Sequence, residues 1–357
     1  MHVFRIAVLP GDGIGPEVMG EAVRVLQRLE GDWTEAKLEL SYHEAGAATY
    51  QKCGQPLPPE TLEACRQADA VLLGAMGLPS VRWPDGREVT PQVDLREELD
   101  LYCGLRPVRL WDPAASPLRS ERLKSIDILL IRESTEGLFW ARRESQRCAE
   151  EVRDVMRISR TGSERLFHAA FLWARRRCGR VTLVDKANVL PAMAFFRQVF
   201  FDVAQQYPDV ETECLYVDAA ALHMVLRPES FDVMVTENMF GDILSDLGAA
   251  LVGGMGLAPS ADVGERHAVF QPAHGSAPDI AGKQIANPLA MILSAGMMLT
   301  WLGHPETVAA AQRLEQAVRH ALAHSAERTP DLGGRLRTTQ MTDLVLRALD
   351  TVESQAG

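Results

Sequence analysis

Residues 5–16 read Arg5-Ile6-Ala7-Val8-Leu9-Pro10-Gly11-Asp12-Gly13-Ile14-Gly15-Pro16. The apolar run up to Leu9 reads as a short buried strand. It ends in three glycines at alternate positions. Pro16 then opens a segment whose Val18, Ala22, Val25, Leu26 and Leu29 fall on one helical face. Strand, glycine turn and helix in that order begin an α/β protein. The spacing is not the Rossmann fingerprint G-x-G-x-x-G, whose third glycine stands one position later, and Pro16 follows at once. Alone, the turn serves either positive-φ geometry or a ligand loop.

Outward from this stretch the alternation continues. Ala70–Gly74, Ile126–Ile131, Val181–Val184 and Phe231–Thr236 read as buried strands, and Thr161–Arg177 and Leu190–Tyr207 as amphipathic helices. The pattern predicts an α/β fold with much parallel sheet. A chain of 357 residues has room for two domains, and 46% hydrophobic residues supply a core that needs no disulfide or structural metal. No apolar run approaches the roughly 18 residues of a membrane span, and the amino terminus lacks the pattern of a secretory signal. These features, with six irregularly spaced cysteines read as buried or half-buried thiols, predict a reduced, cytoplasmic protein. A net charge of −11 argues against a nucleic-acid partner but leaves room for a local arginine cluster that binds an anionic small molecule.

Five groups of residues carry candidate chemistry. The glycine turn with Ile14 is the first. The second is an arginine series, Arg96, Arg106 and Arg132. Arg132 stands at a strand's carboxyl end, where open α/β sheets place ligands, and its planar fork suits a carboxylate. Taken singly, in a chain with so many arginines, each is more often a surface residue than a ligand. The third is Asp242 and Asp246, spaced i and i+4 on one helix face, where like charges repel unless a cation intervenes. All-oxygen ligation suits Mg²⁺ or Mn²⁺; the competing reading is a solvated acidic face. The fourth is Lys186, just after a strand in a chain with five lysines, able to act as a base if neighbouring cations lower its pKa. The fifth is His274-Gly275-Ser276-Ala277-Pro278-Asp279, a loop with exposed amides and a carboxylate that can accept from ribose hydroxyls.

Together these pieces resemble the β-decarboxylating dehydrogenases, the family of isopropylmalate, isocitrate, homoisocitrate, tartrate and D-malate dehydrogenases. The likeness runs from Ile6 to about Leu344. It is carried in order by LPGDGIGPEV, DLREELDLYCGLRPV, RESTEGLF, VTLVDKANVL, YVDAAA, ENMFGDILSDLGAALVGGMGLAPSA, HGSAPDIAGKQIANP and TPDLGG. The resemblance implies a non-Rossmann fold of two α/β domains with a central cleft. One domain comprises about 1–103 and 259–357 and binds the dinucleotide. The other, about 104–258, carries the substrate, metal and dimer contacts. It further implies a homodimer with shared active sites. Arg96, Arg106 and Arg132 would hold substrate carboxylates. Thr90, Gln92, Val93 and Phe139 would complete the substrate site. Asp218, Asp242 and Asp246 would hold Mg²⁺ or Mn²⁺, with Asp218 and the catalytic Lys186 coming from a second subunit. Ile14, Asn188, His274 through Ala277, Asp279 and Asn287 would hold NAD. Asp279 favours NAD because a carboxylate repels a 2′-phosphate.

The implied activity is NAD- and metal-dependent oxidative decarboxylation of a 3-substituted malate of the 3-isopropylmalate type. Isocitrate, homoisocitrate, D-malate and tartrate are the alternative substrates, and a non-catalytic regulatory subunit is the alternative role. In the family's R-E-x-T-x-G-x-Y pattern the last residue is a tyrosine that helps to protonate the enol. Here it is Phe139, which has no proton to give. The loop Val89–Asp94 is also mixed. Isopropylmalate enzymes place two leucines where Gln92 and Val93 stand, and isocitrate enzymes a serine and an asparagine where Thr90 and Gln92 stand.

Overall fold

The computed structural model describes residues 1–118, 126–324 and 327–356. The chain forms two units, one of Met1–Leu99, Gly253–Ala261 and Glu265–Gly357, the other of Asp100–Val252 and Asp262–Gly264. The first unit opens with β1 (His2–Gly11), α1 (Gly15–Glu30), β2 (Ala36–Tyr42), α2 (Ala47–Cys53), α3 (Pro59–Gln67), β3 (Ala70–Ala75) and α4 (Pro91–Glu98). The second follows with β4 (Cys103–Arg109), β5 (Asp127–Glu133), α5 (Ala141–Glu144), β6 (Gln146–Arg147), β7 (Val152–Arg153), α6 (Arg160–Arg175), β8 (Arg180–Asp185), α7 (Pro191–Ala204), β9 (Glu211–Tyr216), α8 (Val217–Leu226), β10 (Val233–Thr236) and α9 (Asn238–Leu251). Last come β11 (Pro259–Val263), β12 (Ala268–Pro272), α10 (Leu289–Leu302), α11 (Pro305–His324) and α12 (Thr338–Ala356).

In the first unit the strand order is β2-β1-β3-β12-β11, with β1 parallel to both β2 and β3, and β12 parallel to β3. Val18, Met19, Ala22, Val25, Leu26 and Leu29 form the buried stripe of α1. The helix α10 is apolar on nearly every side and is buried from Leu289 through Ala295. Such a helix has no solvent face to offer, and it packs among α1, α11, β12 and β3.

In the second unit the order is β4-β5-β10-β8-β9. All neighbours there are parallel except β4, which runs antiparallel to β5. Val108, Ile128, Leu130, Val184 and Met234 line one sheet face and meet Ala220, Met224, Leu244 and Leu251 of α8 and α9. The helices α6 and α7 lock through aromatic rings, with Phe167 at 4.6 Å from Phe196 and 5.3 Å from Phe200 between centroids. Such ring pairs add to plain area burial.

The chain changes unit after Leu99 and after Val252, a few residues before the expected 103 and 258. Cys103 is already in register with Glu133 on β5, and the short turn Met255–Leu257 packs on α10. The thiols also differ from expectation. Cys65 and Cys103 are buried and Cys214 half-buried, but Cys53, Cys148 and Cys178 lie at the surface, and all six are free. Burial pushes the Cys65 and Cys103 thiols up to about 12, so both stay protonated. Among the described residues no helix is long and apolar enough to cross a membrane.

Candidate functional site

In the second unit the register of β4 and β5 sets Gly104 opposite Arg132 and Arg106 opposite Leu130. Arg106 and Arg132 therefore project from the same sheet face. Both are buried, at 5% and 3% exposure, and a buried guanidinium needs partners for its donors. Arg106 Nη2 donates to Asp262 Oδ1 at 3.1 Å, and Ser134 Oγ donates to the same oxygen at 3.2 Å. Arg132 Nε donates to Asn238 Oδ1 at 2.9 Å, and its Nη1 donates to Asp242 Oδ1. Asn238 is itself oriented by donating Nδ2 to the Glu136 carbonyl at 3.0 Å.

The helix α9 can lie this close because Gly241 has no side chain. A Cβ there would stand 2.7 Å from Arg132 Cβ and Cγ. The helix starts at Glu237, whose carboxylate accepts from Phe240 N at 2.7 Å and Leu138 N at 3.3 Å. Burial holds that carboxyl above its usual range. One residue thus caps the helix that bears the aspartates and secures the turn that bears Phe139.

Asp242 and Asp246 stand one turn apart on α9. Asp246 reaches solvent, yet partial loss of hydration, and then the Asp242 charge, raise its carboxyl above the usual range. A pair that resists joint ionisation is a fit for a divalent cation and hard-oxygen ligation. Asp218 stands elsewhere, where its Oδ1 accepts from Lys186 Nζ, and that bond holds the carboxyl below its usual range. Among the described residues no three His, Cys, Asp or Glu side chains are gathered to hold a metal. Lys186 follows β8, whose last residue, buried Asp185, accepts a fork from Arg197, with both bonds 2.7 Å. Asn188 lies in the next turn and is exposed.

The remaining candidates belong to the first unit. Ile14 is buried, and its amide donates to the Ser276 carbonyl at 2.8 Å, joining the glycine turn to the 274–279 loop. Burial lowers the His274 pKa, which keeps the ring neutral near pH 7, and its Nδ1 meets the Gly275 carbonyl at 2.9 Å. Gly275 and Asp279 are exposed, and Ala277 takes a φ of 38°. Asn287 is less available than expected, because Nδ2 donates to Asp331 at 3.0 Å and Oδ1 accepts from Leu289 N at 3.1 Å. Thr90 is the N-cap of α4, and Val93 is half-buried. Gln92 and buried Arg96 lie one turn apart on α4, and the Gln92 Oε1 is buried with no hydrogen-bond partner among the described residues.

Asp262, Asn238 and Glu237 carry much of this geometry and were not among the residues singled out in the sequence. Glu237 had a local signal, an acid immediately before an amphipathic helix. Asp262 had none, since its pairing with Arg106 spans 156 positions.

The family model for isocitrate/isopropylmalate dehydrogenase matches residues 5–345. The chain is 42% identical to the 3-isopropylmalate dehydrogenase of Aquifex aeolicus, over 99% of each chain. It is 45% identical to that of Moorella thermoacetica, over 98% of this chain and 99% of the other. Among solved structures it is similar to isocitrate dehydrogenase from Methylococcus capsulatus, with a TM-score of 0.87 and 37% identity over 98% and 99% of the two chains.

Proposed function

Because this chain belongs to the isocitrate/isopropylmalate dehydrogenase family, we propose that it oxidises a 3-substituted malate at C2 and releases the C3 carboxylate as CO₂. The reference substrate is 3-isopropylmalate, which the names of the two relatives carry, and the proposed cofactors are NAD and Mg²⁺ or Mn²⁺. The observation that carries the reading is the contact of buried Arg132 with Asp242, with Asp246 one turn along the same helix.

That contact is a resting pair. A substrate carboxylate competes for the Arg132 fork, and Asp242 is then left, with Asp246, to a cation. Arg106, held by Asp262, presents a second guanidinium from the same sheet face, and Arg96 is assigned a third carboxylate contact. Asp242 and Asp246 would hold a divalent ion, which would supply a lowered pKa at the C2 hydroxyl, and a bound dinucleotide would supply the hydride acceptor. Lys186, paired with Asp218, relays the hydroxyl proton away: its ammonium first gives a proton to solvent, the neutral amine then takes the hydroxyl proton, and Asp218 steadies the ammonium that re-forms. Phe139 offers no proton to the enol carbon, so that proton comes from water or from another side chain. The working unit is a homodimer in which a second copy supplies Lys186 and Asp218.

The test is an NADH-absorbance screen with Mn²⁺ across 3-isopropylmalate, isocitrate, homoisocitrate, D-malate and tartrate. Turnover of one substrate that EDTA abolishes, and that Asp242→Asn loses without unfolding, is the expected result. Full activity in Asp242→Asn, or no NADH from any substrate, would overturn the reading.

A further inference from the structure

Asp12 belongs to the glycine turn but has no role in the chemistry above. Its carboxylate is buried, at 3% exposure. Oδ2 accepts from Ala47 N at 2.7 Å and from Gly77 N at 2.8 Å, and Oδ1 accepts from Ala48 N at 2.9 Å. Its own amide donates to the Ala75 carbonyl at 2.7 Å. Two residues on, Ile14 N donates to Ser276 O, and Ser276 Oγ returns to the Gly77 carbonyl. Asp12, Ile14, Ser276 and Gly77 thus close a ring of hydrogen bonds across three separate loops. The seat is cut to fit. Gly46 adopts a φ of 129°, and a Cβ there would stand 2.6 Å from Asp12 Oδ2.

The ring reaches further through Gly77. The stretch after it folds back so that Val81 and Val89 pack on Ala47, with Tyr50, Leu78 and Trp83 around them. Val89 delivers Thr90, the N-cap of α4, and α4 carries Gln92 and Arg96.

We propose that Asp12 is a positioning residue for ligand binding: its carboxylate holds the Ile14 turn, the Ser276 loop and the stretch leading to α4 in one register. The proposal rests on the functional reading above and deepens it. A buried carboxylate with three amide donors is a strong tie, and removing it strands backbone N–H groups away from water. In Asp12→Asn the carbonyl oxygen keeps two of the donors while the new NH₂ faces the third. Asp12→Ala leaves all three unmet.

The experiment measures KM for NAD and for the hydroxy-diacid, kcat at saturation, and amide hydrogen exchange, in wild type, Asp12→Asn and Asp12→Ala. Asp12→Asn is expected to raise both KM values together by roughly tenfold, with kcat changed less than about threefold, and Asp12→Ala to raise them further. The amides of Ala47, Ala48 and Gly77 should exchange faster in step. A folded Asp12→Asn with both KM values within twofold of wild type, or with a fall in kcat alone, overturns the proposal. Should the Asp12 variants not fold, Gly46→Ala pushes on the same carboxylate from its other side; a paired KM rise supports the proposal and unchanged KM values defeat it. NADH binding to wild type, followed by protein fluorescence, separates the two readings. Wild-type binding and turnover with an insensitive position 12 defeat this inference alone, whereas no NADH binding by wild type defeats the functional reading and this inference with it.

Discussion

The guanidinium carbon of Arg132 lies 5.3 Å from the centroid of the Phe139 ring, so the residue assigned to a substrate carboxylate rests against an aromatic face. Such contacts are worth about 0.5–2 kcal/mol, more where water is excluded. Phe139 therefore has a positioning use even though it cannot donate a proton. Phe139→Leu keeps apolar bulk but loses the ring face, and it should raise the substrate KM about two- to fivefold. Phe139→Tyr keeps the face and adds a phenol that can protonate the enol, and it should speed formation of the final 2-oxo acid by roughly tenfold or more. Measurement of the substrate KM and of 2-oxo acid formation decides it; if neither variant moves either quantity, position 139 is packing alone.

Gly241 provides the narrowest tolerance at the site. Gly241→Ala places a methyl 2.7 Å from two Arg132 carbons, and both lie near the backbone where they cannot swing aside. Either α9 lifts or Arg132 turns away. Overpacking of this kind costs about 1–3 kcal/mol, so the melting temperature should fall by several degrees. Displacement of Arg132 should also cut kcat/KM at least about 100-fold. A variant that melts early yet keeps its kcat/KM would show that Arg132 does not need its present pose.

Glu133 gives a pH signature. It is buried beside Arg132, and Thr135 N and Oγ1 and Glu136 N donate to it, yet burial outweighs those bonds and lifts its carboxyl to about 7. The Glu136 charge raises it further, while Arg165 donates to Thr135 Oγ1 at 3.2 Å from the other side. A carboxyl raised in the folded state binds more protons there than in the unfolded chain. Its contribution is complete below pH 4.5 and is lost as pH rises through about 7. Glu133→Gln can keep all three contacts, because Thr135 Oγ1 can accept from the new amide. It should flatten the fall in stability between about pH 5 and 8 by on the order of 1–3 kcal/mol. Urea midpoints across that range test this; an unchanged slope would mean that Glu133 does not titrate there.

Asp279 is exposed on the 274–279 loop. Its charge favours a ribose with free hydroxyls and repels a 2′-phosphate. NADP should therefore support turnover at least about tenfold less efficiently than NAD, and Asp279→Asn should narrow the gap. Equal kcat/KM for both dinucleotides in wild type would remove Asp279 from the cofactor site.

Much of this architecture was legible because it is written locally. Ala70–Gly74 and Val181–Val184 are apolar runs of strand length, and the folded strands are Ala70–Ala75 and Arg180–Asp185. The stripe from Val18 to Leu29 is likewise the buried face of α1. Arg132 and Asp242 were each visible from their place at a strand end and on a helix face. Their contact was not, because it depends on Gly241 letting α9 approach β5 across 110 positions. Asp262 and Asp12 escaped notice for the same reason, since their partners lie far along the chain. Asn287 is a further case of distance: the sequence shows a loop amide, and only the fold reveals that Asp331 accepts from it.

The pairing of Lys186 with Asp218, apart from Asp242 and Asp246, leads to a test of shared sites. If each site draws Lys186 and Asp218 from one copy and Asp242 and Asp246 from the other, two crippled chains can complement each other. Lys186→Met and Asp242→Asn should each be inactive as pure proteins, because every site lacks one essential group. Mixed through reversible unfolding in equal amounts, half of the dimers combine the two variants. In each of these, one site takes its lysine from the Asp242→Asn copy and its aspartate from the Lys186→Met copy. That site is intact, so the mixture should recover about one quarter of wild-type activity. Sites built within a single chain would recover none, since every site would still carry one lesion. Activity after mixing, with sedimentation to confirm dimers, therefore decides whether the catalytic lysine acts on its own chain's aspartates or on those of its neighbour.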